Sequence, residues 1–379
     1  MFHKLIISNS ILTGTHNMTK NTVIMLFASI LIMSSCAYTG KSKTYTSLLE
    51  KAEVNDIQKE LEGIIKSNPQ VMSELEQKQK KTWLRFVVVG DTISNQNIVY
   101  RALLAKISRL DPPPEFIVNL GDFTGGKPSQ YSYYFDTIKY YPCPIIHVMG
   151  NHEIENEGKM ISRTVFGETD FFFDYNDVRL IFMSSENQGL TSQRLDWLED
   201  KLKDDYPSKK IYFSHEFPLK PFIELFPTVY SLFIHRRKNE KEMLDLLDKY
   251  DVSVAVFGHL HRHYEKIHRG TVMIISGGGG QRAFLEPKAK EPLSTKEKHF
   301  TIVDMLTGRE RDPQGMISCI NRYNKPLFMT AFYLDKPKGN GVGPSMQLTP
   351  FKGFDSKFIS PPYIGELYKE YLEKNSSIK

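Results

Sequence analysis

FVVVGDTISN (Phe86–Asn95) decides how this chain is read. Four apolar residues, three of them β-branched, run without alternation into Gly-Asp. Such a run is the pattern of a strand buried on both faces. Gly90 permits a tight turn, and Asp91 stands at the strand's carboxyl end, where open α/β sheets gather their ligands.

Four more apolar runs end in the same way. Phe116–Leu120 is followed by Gly121-Asp122, and Ile145–Met149 by GNHE at 150–153. Ile211–Phe213 is followed by Ser214-His215, and Val252–Phe257 by GHLH at 258–261. Leu180–Met183 is a further buried run, and later strands are predicted at Val272–Ile275, Thr301–Val303, Ile317–Ile320 and Leu327–Tyr333. Helical patterns over Asn97–Leu110, Thr191–Leu202 and Asn239–Tyr250 separate several of these strands, which is an α/β layout of sheets covered by helices. Four of the 11 histidines fall in the strand-end motifs. His147 lies inside an apolar strand and reads as core, while His235, His263, His268 and His299 have no matching context.

A lone Gly-Asp or His-x-His is usually a turn aspartate or a surface histidine. Five ligand-type clusters in order, each at a strand end, point instead to metal. Carboxylates, an amide oxygen and imidazoles suit two ions of Fe, Mn or Zn. A carboxylate can bridge two cations about 3.5–4 Å apart, which clamp a phosphate and acidify a water between them. A cationic imidazole nearby can protonate the leaving oxygen.

The 379 residues are 40% hydrophobic and 25% charged, with a net charge of +5 spread along the chain. That is globular composition and gives no basic patch, so nucleic-acid binding is not expected. Residues 1–35 read as a signal peptide starting at Met18: Lys20, an apolar run Val23–Met33, then Ser34-Ser35 before Cys36. The small-small-Cys ending resembles a bacterial lipobox and implies lipidation at Cys36, hence an exported protein anchored on the periplasmic or surface face of a membrane. A plain cleaved signal and a short membrane anchor are the alternatives. Residues 36–83 read as a tether and N-terminal helices, with Asn68 capping a helix and Pro69 in its first turn; they form either a spacer or a helix packed on the domain. Cys143 and Cys319 remain after the leader, and Cys143 reads as a small buried residue. Residues 335–362 read as Gly/Pro-rich loop and Ile364–Leu372 as a terminal helix.

The pattern GD, GD, GNH(D/E), H, GHxH resembles the calcineurin-like metallophosphoesterase superfamily, which includes purple acid phosphatases. The likeness covers about residues 84–305, leaving 306–379 as a C-terminal extension. GLTSQRLDWLEDKL (189–202), GHLHRHYEK (258–266) and ISGGGGQ (275–281) are also similar to family segments. The resemblance implies a four-layer α-β-β-α sandwich of two mixed sheets with a dinuclear metal site at the strand carboxyl ends. It implies that Asp122 bridges both metals, that Asn151, His215 and His259 complete one site, and that Asp91 and His261 belong to the other. His152 would be the non-ligand imidazole near the leaving group. Glu153 would either orient His152 or cap a helix start. Many members have Asp-x-His, where this chain has Ile93, and the tyrosine that purple acid phosphatases supply instead is Gly125 here. The first site is therefore expected to be weaker, completed by water or Asn95.

These residues predict a metal-dependent phosphohydrolase that attacks a phosphate ester with a metal-bound hydroxide. Phosphomonoesters are the first expectation, and phosphodiesters of nucleotide or lipid-headgroup type the alternative. The rival from another class is a non-catalytic surface binding protein on a degenerate phosphoesterase fold. The segment 217–239, apolar and then basic through Arg236 and Arg237, reads either as a packed loop or as a lid over the substrate.

Overall fold

The strand predicted at Phe86–Val89 forms as part of a longer strand, Trp83–Val89, in the interior of a sheet. In the computed structural model the described residues are 59, 61, 63–78, 83–93, 97–185, 190–207, 209–218, 239–282, 294–295, 297–306, 314–321, 326–333 and 349–350. All belong to one unit, residues 41–379. The leader, Met18, Cys36, Asn95, the segment 219–238 with Arg236 and Arg237, and the predicted helix 364–372 lie outside them.

The elements run α1 (Asn68–Gln77), β1 (Trp83–Val89), α2 (Ile98–Ile107), β2 (Phe116–Asn119), α3 (Pro128–Ile138), β3 (Ile145–His147), α4 (Gly158–Phe166), β4 (Phe171–Tyr175), β5 (Val178–Met183) and α5 (Ser192–Leu202). They continue with β6 (Lys209–Ser214), α6 (Glu240–Lys249), β7 (Val254–Phe257), β8 (His263–His268), β9 (Thr271–Ser276), β10 (Ser294–Thr295), β11 (His299–Leu306), β12 (Gln314–Asn321), β13 (Pro326–Tyr333) and β14 (Thr349–Pro350).

Among the described residues two seven-stranded sheets form, ordered β14-β13-β12-β11-β1-β2-β3 and β10-β8-β9-β7-β6-β5-β4. Both are mixed. β1, β2 and β3 are parallel while β11 joins β1 antiparallel. In the second sheet β5, β6, β7 and β9 are parallel, with β4 and β8 antiparallel to their neighbours. Strands β12 and β13 of the C-terminal extension add to the first sheet.

Alternation along the strands builds the expected four layers. Phe86, Val88, Phe116 and Val118 meet Leu180, Phe182, Phe213 and Val256 in one core between the sheets. The alternate residues Val87, Val89 and Ile117 pack under α2, α3 and α4, and Ile181, Met183 and Ala255 pack under α5 and α6. Each wholly buried Val or Phe stabilises by roughly 1.5–3 kcal/mol. β1 is further tied to β11 by a buried bidentate pair, Arg85 Nε to Asp304 Oδ1 at 2.6 Å and Nη2 to Oδ2 at 2.9 Å.

Two details differ from the sequence reading. The N-cap of α1 is Ser67, whose hydroxyl accepts from Gln70 N while Gln70 Oε1 accepts from Ser67 N at 2.8 Å, a capping box. Asn68 is thereby released to bond the edge of β3. Its Nδ2 donates to the His147 carbonyl (2.9 Å) and its Oδ1 accepts from His147 N (2.8 Å). With Val71 and Leu75 in the intersheet core, α1 is packed on the domain rather than serving as a spacer. Cys143 is a free, half-buried cysteine. Among the described residues no helix is long and apolar enough to cross a membrane.

Candidate metal centre

The turns after β1, β2, β3, β6 and β7 converge. Two groups of side chains come close enough to hold a cation each: Asp122, His215 and His259, and Asp91, Asp122 and His261, the ligand atoms of each group lying within 4.8 Å of one another. Asp122 is common to both, as the resemblance implies for a bridging carboxylate.

Close approach of loops makes this possible. Gly121 has φ +97°, and a Cβ there would stand 2.5 Å from the Gly150 nitrogen, so the second and third loops can touch only if residue 121 is glycine. Asp91, Asp122, His259 and His261 all adopt left-handed φ values of 59°, 53°, 69° and 52°. Each costs on the order of 1–3 kcal/mol and persists because its surroundings hold it there.

Around the first group, His215 Nδ1–H donates to the Leu120 carbonyl at 2.8 Å, which turns Nε2 toward the site. That Nε2 lies 3.3 Å from Asp122 Oδ2, 3.1 Å from Asn151 Oδ1 and 3.2 Å from His259 Nδ1. Asn151 Oδ1 is also 3.0 Å from His259 Nδ1. A carboxylate, an amide oxygen and two imidazole nitrogens thus converge on a single point, which calls for a positive charge, a cation or a proton on His215, between them. The electrostatics agree. Burial alone would raise the Asp122 carboxyl, yet His215, with His152 and His259, holds it well below the usual carboxylate range. Burial alone would lower His215, yet Asp122, helped by Asp91 and Glu153, pushes it up to about 10.

In the second group, Asp91 Oδ2 accepts from His259 N at 2.8 Å, while Oδ1 is buried without a hydrogen-bond partner. His261 Nδ1–H donates to the Arg282 carbonyl (2.9 Å) and its Nε2 stands 3.3 Å from that Oδ1. An orphaned carboxylate oxygen beside an imidazole lone pair again fits a cation. The glycine turn after β9 holds this half in place: Gly279 N donates to Gly90 O and Gln281 N to Asp91 O, each at 2.9 Å. Ile93 contributes only its backbone, N–H to Asp122 O at 3.0 Å.

Neither role expected of Glu153 is what the structure gives it. Its fully buried carboxylate accepts from Asp122 N (2.8 Å), Gly150 N (2.8 Å) and Thr124 N (2.7 Å), lashing the second and third loops together. Burial, and then the Asp122 charge, push it up to about 7, and the N–H groups that end on it pull the other way. Glu155, rather than Glu153, stands beside His152: its Oε1 is 3.3 Å from Nδ1. The Leu120 and Arg282 carbonyls that orient the imidazoles carry no side-chain signal. Glu155, by its spacing of three from His152, did carry one.

Buried aspartates and histidines thus meet at the strand ends of two packed mixed sheets, a donor set suited to two divalent cations. The calcineurin-like phosphoesterase family pattern matches residues 84–263. A probable glycerophosphodiester phosphodiesterase from Arcobacter nitrofigilis is 31% identical over 245 residues, covering 58% of this chain and 86% of that protein. The chain belongs to the calcineurin-like phosphoesterase family, which uses a dinuclear divalent metal site. The fold is also similar to that of a Plasmodium protein described as the anchor in the inner membrane complex, with a TM-score of 0.52 at 14% identity, over 68% of this chain and 91% of that one.

Replacing Glu153 by Gln sets an NH2 against at least one of three buried N–H donors. The expected loss is about 2–3 kcal/mol of stability in the metal-free protein, read from the urea midpoint at unchanged slope.

Proposed function

We propose that this metallophosphoesterase hydrolyses phosphodiesters of small polar alcohols. Two ligand groups sharing one buried carboxylate carry the metal part of the reading. The diester part is supported by the likeness to the glycerophosphodiester phosphodiesterase. In this reading Asp122 is shared between two cations, Asn151, His215 and His259 complete one site, and Asp91 and His261 the other. Two divalent ions there supply the charge that neutralises a phosphate and the acidity that activates a water.

The chain's own residues position and protonate. The Leu120 and Arg282 carbonyls fix the ring orientation of His215 and His261. His152 holds the proton for the leaving alkoxide. Its backbone N–H donates to Asp122 Oδ1 (3.1 Å), its ring Nε2 stands 3.7 Å from Asp122 Oδ2, and its side chain is 21% exposed, so it borders both the shared carboxylate and solvent. The monoester expectation rests on the purple acid phosphatase-like motif alone and forms the second arm of the test.

Metal-free protein reloaded with Mn, Zn or Fe is to be offered an alkyl phosphodiester and an alkyl phosphomonoester, beside Asp122→Asn. Metal-dependent turnover of the diester, lost in Asp122→Asn, is expected. Faster turnover of the monoester would make the chain a monoesterase, and turnover of neither would favour the binding-protein reading.

Since Ile93 withholds a donor from the Asp91 side, metal titration should give one ion retained through gel filtration and one that is lost. Two equally retained ions would refute the weak-site proposal. The signal peptide and Cys36 lipidation extend the proposal to an exported, membrane-anchored enzyme. When made in a bacterial host, the protein should enter a detergent phase, and Cys36→Ala should stay in the aqueous one.

A further inference from the structure

We propose that Glu155 is a positioning residue for His152, a role that rests on reading His152 as the proton donor. His152 Nδ1 is cut off from solvent and makes no aligned hydrogen bond, yet Glu155 Oε1 stands 3.3 Å away. A short movement of one flexible carboxylate converts that contact into a hydrogen bond, as is common when a site fills.

The backbone around Glu155 is fixed by hydrogen bonds on both sides. Glu155 N donates to His152 O (3.3 Å) and Gly158 N to Glu155 O (2.9 Å), so residues 152 and 155 lie side by side on one turn. Asn156 Nδ2 donates to Gly125 O (3.2 Å), docking the turn on the loop after Asp122, and Tyr131 Oη donates to Gly158 O (2.9 Å), docking it on α3. Gly126, at φ +80°, lies directly under the Glu155 carbonyl, where any Cβ would collide with it. The Glu155 side chain is 53% exposed, so it flanks His152 from the solvent side while Asp122 flanks it from within.

With Nδ1–H given to Glu155, Nε2 is the nitrogen that faces the reacting ester. On ester cleavage the Nε2–H bond breaks and an O–H bond forms on the departing alcohol. The ring is left neutral, with Nδ1–H still on Glu155. Without the carboxylate the ring can rotate and present either nitrogen, so proton delivery loses its fixed donor.

The test uses the metal-loaded full chain and a series of aryl methyl phosphodiesters running from p-nitrophenyl to phenyl, or the matching aryl monophosphates if monoesters prove to be the substrates. Proton donation matters more as the leaving oxygen becomes more basic. For Glu155→Ala the loss in kcat/KM is expected to grow from about threefold for p-nitrophenyl to about 30-fold for phenyl, with partial recovery in Glu155→Gln. In a His152→Ala background, Glu155→Ala should add nothing further. A loss equal across the series, no loss, or an undiminished loss in the His152→Ala background would each overturn the role of Glu155. A flat series for His152→Ala itself would instead overturn the reading of His152.

Discussion

Three backbone N–H groups from two loops end on one buried carboxylate, and the metal centre is built outward from that knot. Glu153 joins Asp122 N and Thr124 N to Gly150 N. The constraint is severe, because a buried acceptor of this kind leaves no tolerance for a partner that cannot donate. It fixes the distance between the loop that carries the shared carboxylate and the loop that carries Asn151 and His152. The remaining candidate ligands arrive from the second sheet, on His215 after β6 and on His259 and His261 after β7. Their placement depends on the two sheets being locked by the phenylalanine and valine core between them.

Strain at the centre is affordable because that core is large. Four non-glycine residues of the site sit in left-handed conformations. At roughly 1–3 kcal/mol each, they are offset by the burial of a comparable number of strand residues such as Phe86 and Val88. The left-handed turns aim carboxylates and imidazoles at one place, the kind of preorganised side-chain geometry that a metal centre needs.

The candidate ligands were legible in the sequence because their signal is side-chain chemistry at a fixed place, the carboxyl end of an apolar run. Asp91, Asp122, His215, His259 and His261 come together as that logic requires. Elements whose faces are not plainly apolar were harder to read. α3 buries Tyr131, Tyr134 and Phe135 at helical spacing, but tyrosines and serines blur the pattern. β8 reads His-Tyr-Glu-Lys-Ile-His and looks like surface, yet His263 and Glu265 satisfy each other at 2.6 Å inside the protein. Polar residues that pair in the interior leave no periodic trace. The lashing role of Glu153 was hidden for a related reason, since its partners are backbone amides that every residue possesses.

Asn68 has a consequence beyond holding a helix. Among the described residues β3 is the last strand of its sheet, and an open strand edge is a template on which another chain can add itself. By giving and taking one hydrogen bond with His147, the Asn68 amide imitates a neighbouring strand for a single residue. The helix behind it then fills the space a real neighbour would need. The helix α1 thus covers this strand edge, which would otherwise be open to pairing with another strand.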